Sequence, residues 1–503
     1  MKFKKIFLLM SLATFMGCTD LKETLNEDLT FDEAKGLFNV DALLSGSYTG
    51  LQTFQHEAEI WAGMEQTSDE MLAPTRGGDW DDNGKWRSLH NHTWGPEHPI
   101  LADAFTRLLQ IVFSTTNLLN FDPTPQQAAE ARLIRAFAMY TVADGWNQVP
   151  FRQPGENLIN PPKVLKGAEA LDFVISECKA ISADLPDGPA TKANKNAAKV
   201  LLMKAYLNKG TFANRAAPTY PNGDMQEVIA LADALIASNQ YRLADNYFDN
   251  FAPKNDILST ENIWTSQNVG GVSGGRVRSR WHCTLHYNQV PSGWNGFATL
   301  SDFYDTFEDV DARKGGSYAG LTDVTGVRAG FLFGQQFDQT GAALKDRKGS
   351  PLSFTRNVAL TEPDPATLEL TGIRAIKYIP DLVNTGDFAD NDYVLFRYAD
   401  VLLMRAEALL RNGNAGGALT AVNEVRAKRG ATALASLSDD EMLRERGREF
   451  YWEGQRRTDL IRFGKFLNAW QEKPASGPER LLFPIPATAL AVNPNLSQNN
   501  GYK

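Results

Sequence analysis

The chain has 503 residues, 43% hydrophobic and 22% charged, the proportions of a folded protein with a large core or two to three domains. A net charge of −9 and an isoelectric point near 5.4 exclude general nucleic-acid binding, which needs a basic field. The three cysteines, Cys18, Cys178 and Cys283, are too few for a disulfide scaffold, and Cys178 sits in a helical apolar pattern that predicts a buried free thiol.

At the N-terminus Lys2, Lys4 and Lys5 precede the apolar run Ile6 to Met16 and then Gly17-Cys18. A basic start, a short apolar centre and a small residue before the cut describe a signal peptide over residues 1–17, too short to span a bilayer as a mature helix. Phe15-Met16-Gly17-Cys18 resembles a lipobox, so cleavage before Cys18 and lipidation of its sulfur are expected. A plain signal peptide that happens to contain Cys is the alternative. Several acyl chains on one residue give stable anchoring, at about 0.8 kcal/mol per buried CH₂. Residues 19–30 are polar and acidic and read as a tether to a single domain over 18–503.

Helical spacing starts at Asp41, expected as an N-cap. Residues 64–98 lose that period and gather Trp, Asp, Gly and His. Helices are expected over 101–119 and 126–143, the second leaving through Asp144-Gly145 into the extended segment Asn147-Gln148-Val149-Pro150. Further helices are expected over 168–183, 196–208 and 225–238. From about 245 to 391 Gly, Ser, Thr, Pro and aromatics interleave. This predicts a loop-rich region with short strands such as 373–378 and a tight or mobile loop at Gly270–Gly275. After Asp392, Ala399, Leu402, Ala406 and Leu409 share one helix face, and Ala418, Val422 and Val425 share another beyond the turn Asn412-Gly413-Asn414. So short a joint makes the two helices antiparallel, and a pair of this length resembles one tetratricopeptide-type repeat, which needs neighbours to bury its apolar face. The expected fold is mostly α, with helical repeats at about 31–244 and 392–470 and an irregular ligand-side region at about 245–391 between them.

Several stretches in order resemble the SusD/RagB family of nutrient-binding outer-membrane lipoproteins. They are the Cys18 lipobox, Arg132 to Tyr140 leading to Asn147-Gln-Val-Pro-Phe151, Asn194 to Gly210, Tyr398 to Ala408, Val422 to Gly430, Arg446 to Leu460, Phe483-Pro-Ile-Pro486 and Gln498-Asn-Asn-Gly-Tyr502. Asn147-Gln148 departs from the Gly-Asp-type pair frequent in the family. The resemblance implies a scaffold of about four tetratricopeptide-like helix pairs. It also implies a lid-like place over a SusC-like TonB-dependent outer-membrane transporter, lipid anchoring through Cys18 at the cell surface, and binding rather than cleavage of an oligosaccharide or, in some members, a peptide.

A sugar ring has an apolar C–H face and a polar rim, so it needs flat aromatics beside Asp, Asn or Arg. Ser68 to Trp94 supplies both, and Asp69, Arg76, Trp80, Asp81 and Trp86 are the candidate ligand residues there; Trp281, with Arg280 and Asn288, is a candidate for an opposite wall, Trp294 and Arg374 are weaker candidates, and Cys283 is a candidate contact whose alternative is a buried structural thiol. Loop anchoring is the competing role for these tryptophans. Asp79-x-Asp81-x-Asn83-Gly84 matches the first half of a calcium-binding loop, but the twelfth position is His90 rather than Glu, leaving a loosely held Ca²⁺ as a minority option and otherwise no cofactor or metal. The six histidines form no His-Glu-x-x-His pattern. No nucleophile elbow, phosphate loop or dinucleotide fingerprint is present, so no catalytic residues are assigned. The expected function is glycan capture for a transporter; a peptide-binding or purely structural lid, and a surface hydrolase, are the rivals.

Overall fold

Helices form where small and apolar residues recur every three to four positions and a neighbouring side chain takes up the first free N–H groups. The computed structural model describes residue 35 and residues 38–503, and Asn39–Lys503 form one compact unit. The signal segment 1–17, Cys18 and the tether 19–30 lie outside the described residues.

The helices that build the scaffold and the site are α1 (Val40–Gly50), α2 (Ile60–Glu65), α3 (Lys85–His90), α4 (Pro99–Leu118), α5 (Pro125–Trp146), α6 (Ala168–Ile181), α7 (Lys195–Ala213) and α8 (Asn222–Ala237). After a long excursion come α9 (Tyr398–Arg411), α10 (Ala415–Lys428), α11 (Asp439–Phe450) and α12 (Arg456–Arg462). Asn39, not Asp41, caps α1: its side chain accepts from Ala42 N at 3.2 Å, while Asp41 sits in the first turn. Thr124 and Gln127 form a reciprocal capping box ahead of α5. That helix runs past Gly145, where the Phe483 ring lies 3.1 Å from the position a Cβ would take, and ends at Asn147 in the left-handed conformation.

α1, α4, α5, α6, α7, α8, α9 and α10 pack in sequence, each against the next. They make four helix pairs, α1/α4, α5/α6, α7/α8 and α9/α10. The mostly α, tetratricopeptide-like architecture is as the sequence predicts. α8 packs directly on α9 although about 160 residues separate them, so the excursion leaves the stack and rejoins it without a break.

The excursion carries small sheets rather than one large one. β1 (Met71–Leu72) belongs to the loop before α3; β2 (Gln148–Phe151) and β3 (Lys163–Lys166) follow α5. β4 (Asn262–Ser266), β5 (Ala298–Thr299), β6 (Ala329–Leu332), β7 (Arg374–Ile376) and β8 (Tyr393–Arg397) lie in the excursion. The fully buried strands β4 and β8 pair antiparallel, zipping the way out to the way back, and β7 pairs with β6 where the sequence predicted a strand. The Gly270–Gly275 loop is a tight turn bridged from Val269 to Ser273.

Charge ties the excursion to the scaffold. Glu449 of α11 accepts from Arg397 at 2.6 Å, Arg429 at 2.8 Å and Arg313 at 3.0 Å, all four side chains being buried. Burial alone would raise this carboxyl, but Arg429, Arg397 and Arg313 hold it well below the usual range. Arg446 pairs with Asp459 at 2.8 Å and Arg462 with Glu407 at 2.8 Å, so the charges of α11 and α12 lock helices together. Cys178 and Cys283 are buried free thiols.

Candidate functional site

Two segments far apart in sequence are pinned side by side. β1 pairs antiparallel with β5, Met71 opposite Thr299 and Leu72 opposite Ala298, so the loop leaving β1 and the loop entering β5 start from one place. The second loop folds back on itself: the Cys283 carbonyl accepts from Gly296 N at 2.8 Å and Phe297 N at 2.9 Å, and the Leu285 carbonyl from Asn295 N at 2.8 Å. Two buried arginines brace the same turn. Arg76 donates to the carbonyls of Leu368 (2.7 Å), Thr371 (2.9 Å) and Gly296 (3.3 Å), and Arg374 donates to Asn295 Oδ1 at 2.9 Å. Burial draws the Arg76 guanidinium down to about 10 and, with Arg76 beside it, lowers that of Arg374 too.

Between these loops lies an open recess lined by Trp80, Trp86, Tyr287 and Trp294, with Glu57, Ala58, Asp79, Asp82 and Lys85 around them. Trp80 holds a left-handed backbone, φ 60°, which costs a side chain roughly 1–3 kcal/mol and fixes where its indole goes. The ring centroid sits 5.0 Å from Phe297, 5.7 Å from Trp86 and 6.4 Å from Trp294, and its Nε1 donates to the Trp294 carbonyl at 3.0 Å. Trp294 is 40% exposed and packs edge-on against His282 at 4.6 Å. The Tyr287 hydroxyl donates to Asp79 Oδ2 at 3.0 Å, and the Arg347 guanidinium covers its ring at 3.8 Å. Burial and the bond to Asp79 push that phenol up to about 12, so it stays a donor. Aromatic faces next to carboxylates and an ammonium are what a sugar's apolar face and hydroxyl rim require.

Of the eight ligand residues expected from sequence, Trp80 and Trp86 line the recess, Trp86 being only 2% exposed with Nε1 on Asp82 Oδ2 at 2.7 Å. The other six are committed elsewhere. Asp81 pairs with Arg87 at 2.5 Å and locks the loop. Asp69 takes both ends of the Arg456 guanidinium, at 2.7 and 2.9 Å. Arg76 and Arg374 are the buried braces just described. Trp281 is 4% exposed, and Cys283 is fully buried with its thiol pushed up by burial; its contribution is the backbone carbonyl that shapes the turn. Tyr287 and Glu57 enter the lining without having been singled out. Tyr287 stands six residues beyond Trp281 in the same aromatic block, which was a usable signal; nothing in the sequence around Glu57 marked it.

The half calcium-binding motif is dispersed: Asp79 faces Tyr287, Asp81 faces Arg87, and Asn83 takes a left-handed turn. Among the described residues no group of three or more His, Cys, Asp or Glu side chains is arranged to hold a metal ion. His90 bonds the carbonyls of Met71 and Gln471, and burial lowers it to about 4; His286 pairs with Glu369 at 2.9 Å. Among the described residues no helix is long and apolar enough to cross a membrane.

The sequence profile of the SusD family matches residues 260–478. The chain is similar to the starch-binding protein SusD of Bacteroides thetaiotaomicron, 27% identical over 84% of this chain and 82% of that one. Among solved structures, a SusD superfamily protein from Parabacteroides distasonis superposes with a TM-score of 0.73 at 17% identity, covering 94% of this chain and 100% of the other. Surface glycan-binding protein A from Bacteroides uniformis gives 0.69 at 19% identity, over 92% and 98%.

Proposed function

We propose that the chain, which the SusD family profile matches over residues 260–478, is a surface binding protein that takes an oligosaccharide on the Trp80–Tyr287–Trp294 surface and passes it to a SusC-like TonB-dependent transporter. The observation that carries this reading is the convergence of three aromatic side chains from two distant loops on one open recess with polar groups at its edge. An aromatic face shields a sugar's axial C–H groups while Asp79, Asp82 and Lys85 are placed to meet hydroxyls. The starch-binding and glycan-binding relatives support the ligand class. The transporter, the outer-membrane location and the lipid on Cys18 rest on the family and on the Gly17-Cys18 sequence.

Isothermal titration of the purified protein against starch fragments, laminarin and other oligosaccharides tests it. A bound sugar whose affinity falls on Trp80→Ala and on Trp294→Ala is the expected result. Full affinity in both variants would place the ligand elsewhere, and release of reducing ends during incubation would make the protein a hydrolase.

A further inference from the structure

The charged residues lining the recess are Glu57, Asp79, Asp82 and Lys85, three carboxylates against one ammonium. Lys85 is already engaged, 3.2 Å from Asp82 and 5.0 Å over the Trp86 ring. The nearby guanidiniums are paired as well: Arg87 with Asp81 at 2.5 Å, Arg347 with Glu369 at 2.6 Å, and Arg276 with Glu57 at 3.2 Å and Asp387 at 3.6 Å. Among the described residues, then, each of these cations at the recess already has a carboxylate partner.

Glu57 is the unusual member. It is 7% exposed, yet it belongs to the lining. One oxygen faces Arg276; the other, Oε2, is buried and accepts no hydrogen bond within the protein, its nearest ion-pair neighbour being His56 Nδ1 at 3.6 Å. The Glu57 charge is only partly compensated, and a ligand carboxylate or sulfate adds like charge in a partly desolvated place.

We propose that the recess selects uncharged oligosaccharides and turns anionic ones away, with Glu57 as the residue that sets the choice. This rests on the oligosaccharide reading above. The charge of Glu57, with those of Asp79 and Asp82, opposes uronic or sulfated sugars.

The test compares a neutral glucan that the purified protein binds with the same glucan oxidised to carboxylates at its primary alcohols. The carboxylated form should bind at least about tenfold more weakly, the gap closing as salt is raised. Glu57→Gln keeps the shape and removes the charge, so it should leave the neutral glucan within about twofold, strengthen the carboxylated one and narrow the gap by about threefold or more. Asp79→Asn, at an exposed position, repeats the comparison if Glu57→Gln lowers the melting temperature. Equal or tighter binding of the carboxylated glucan, or a gap unchanged in both variants, overturns the proposal. Should that happen while Trp294→Ala still abolishes binding, only the charge selection falls. Should neither glucan bind and Trp294→Ala change nothing, the oligosaccharide reading falls first and takes this one with it.

Discussion

The Trp80 indole rests on the backbone of Gly296: a Cβ at Gly296 would lie 2.2 Å from Trp80 Cε2, inside the ring's own volume. Gly296 is held there by its N–H on the Cys283 carbonyl, so the ring and not the backbone must yield to a larger residue. Gly296→Ala should therefore displace Trp80 and lower oligosaccharide affinity about tenfold, near 1.4 kcal/mol, with little loss of helix content. Titration and circular dichroism together check this; unchanged affinity would remove Trp80 from the binding surface.

Exposure separates the tryptophans by role. Trp294 is 40% exposed, so Trp294→Ala should cost binding while changing unfolding free energy by less than about 1 kcal/mol. Trp86 is 2% exposed and packed against Trp80 and Phe297, so Trp86→Ala should cost about 3–5 kcal/mol of stability. Urea unfolding of both variants reads the difference, and equal stability losses would contradict the assignment.

The Glu449 cluster predicts a large penalty for a small change. Glu449→Gln leaves Arg313, Arg397 and Arg429 crowded around a neutral amide in a buried place, which should cost about 3–5 kcal/mol. Because the folded state holds Glu449 well below its unfolded value, its stabilising share is present above the ordinary carboxylate range and is lost progressively as pH falls below that range toward the folded value. Wild type and variant should thus converge in stability under acid; a constant difference down to pH 3 would argue against the ion-pair account.

Glu65 and Glu70 act in the opposite direction. Both are fully buried: Glu65 accepts from the Gly454 N–H and Glu70 from the Trp452 N–H at 3.0 Å, while Glu65 Oε2 and Glu70 Oε1 find no hydrogen-bond partner. Burial pushes Glu65 up to about 7 and, with the Glu65 charge beside it, Glu70 well above the usual range, so the folded state holds a proton that the unfolded chain releases near pH 4.5. The stabilisation is complete below about pH 4.5 and is lost as pH rises through about 7, an effect of order 3 kcal/mol. Glu70→Gln supplies a permanent donor, and its stability should decline less than that of the wild type between pH 5 and 8. His90 and His92, held neutral by burial, lose stability toward acid in both proteins and cancel in the comparison. Parallel pH profiles would sink the account in which burial keeps these carboxyls protonated.

Lipidation is tested by one atom. Cys18→Ala should shift the protein from the membrane fraction to the soluble one and stop incorporation of labelled palmitate. Retention at the membrane would assign the anchor to another feature.

What the sequence determined by itself is what local pattern determines. The helix faces at Ala399 to Leu409 and Ala418 to Val425 and the pairing enforced by the short turn at Asn412 were readable, because helical period and short joints are properties of neighbouring residues. The aromatic-acidic character of residues 68–94 was readable for the same reason. The tertiary structure decided which of those side chains reach the recess. Arg76 and Trp80 are four residues apart and equally suited to a sugar, yet one braces the Gly296 turn from inside while the other lies on it. That division depends on β1 meeting β5 more than two hundred residues later, and on a carbonyl at Cys283 that composition does not reveal. Burial and charge pairing are sums over such distant contacts. They left six of the expected ligand residues outside the lining of the recess and brought Tyr287 and Glu57 to it beside Trp80.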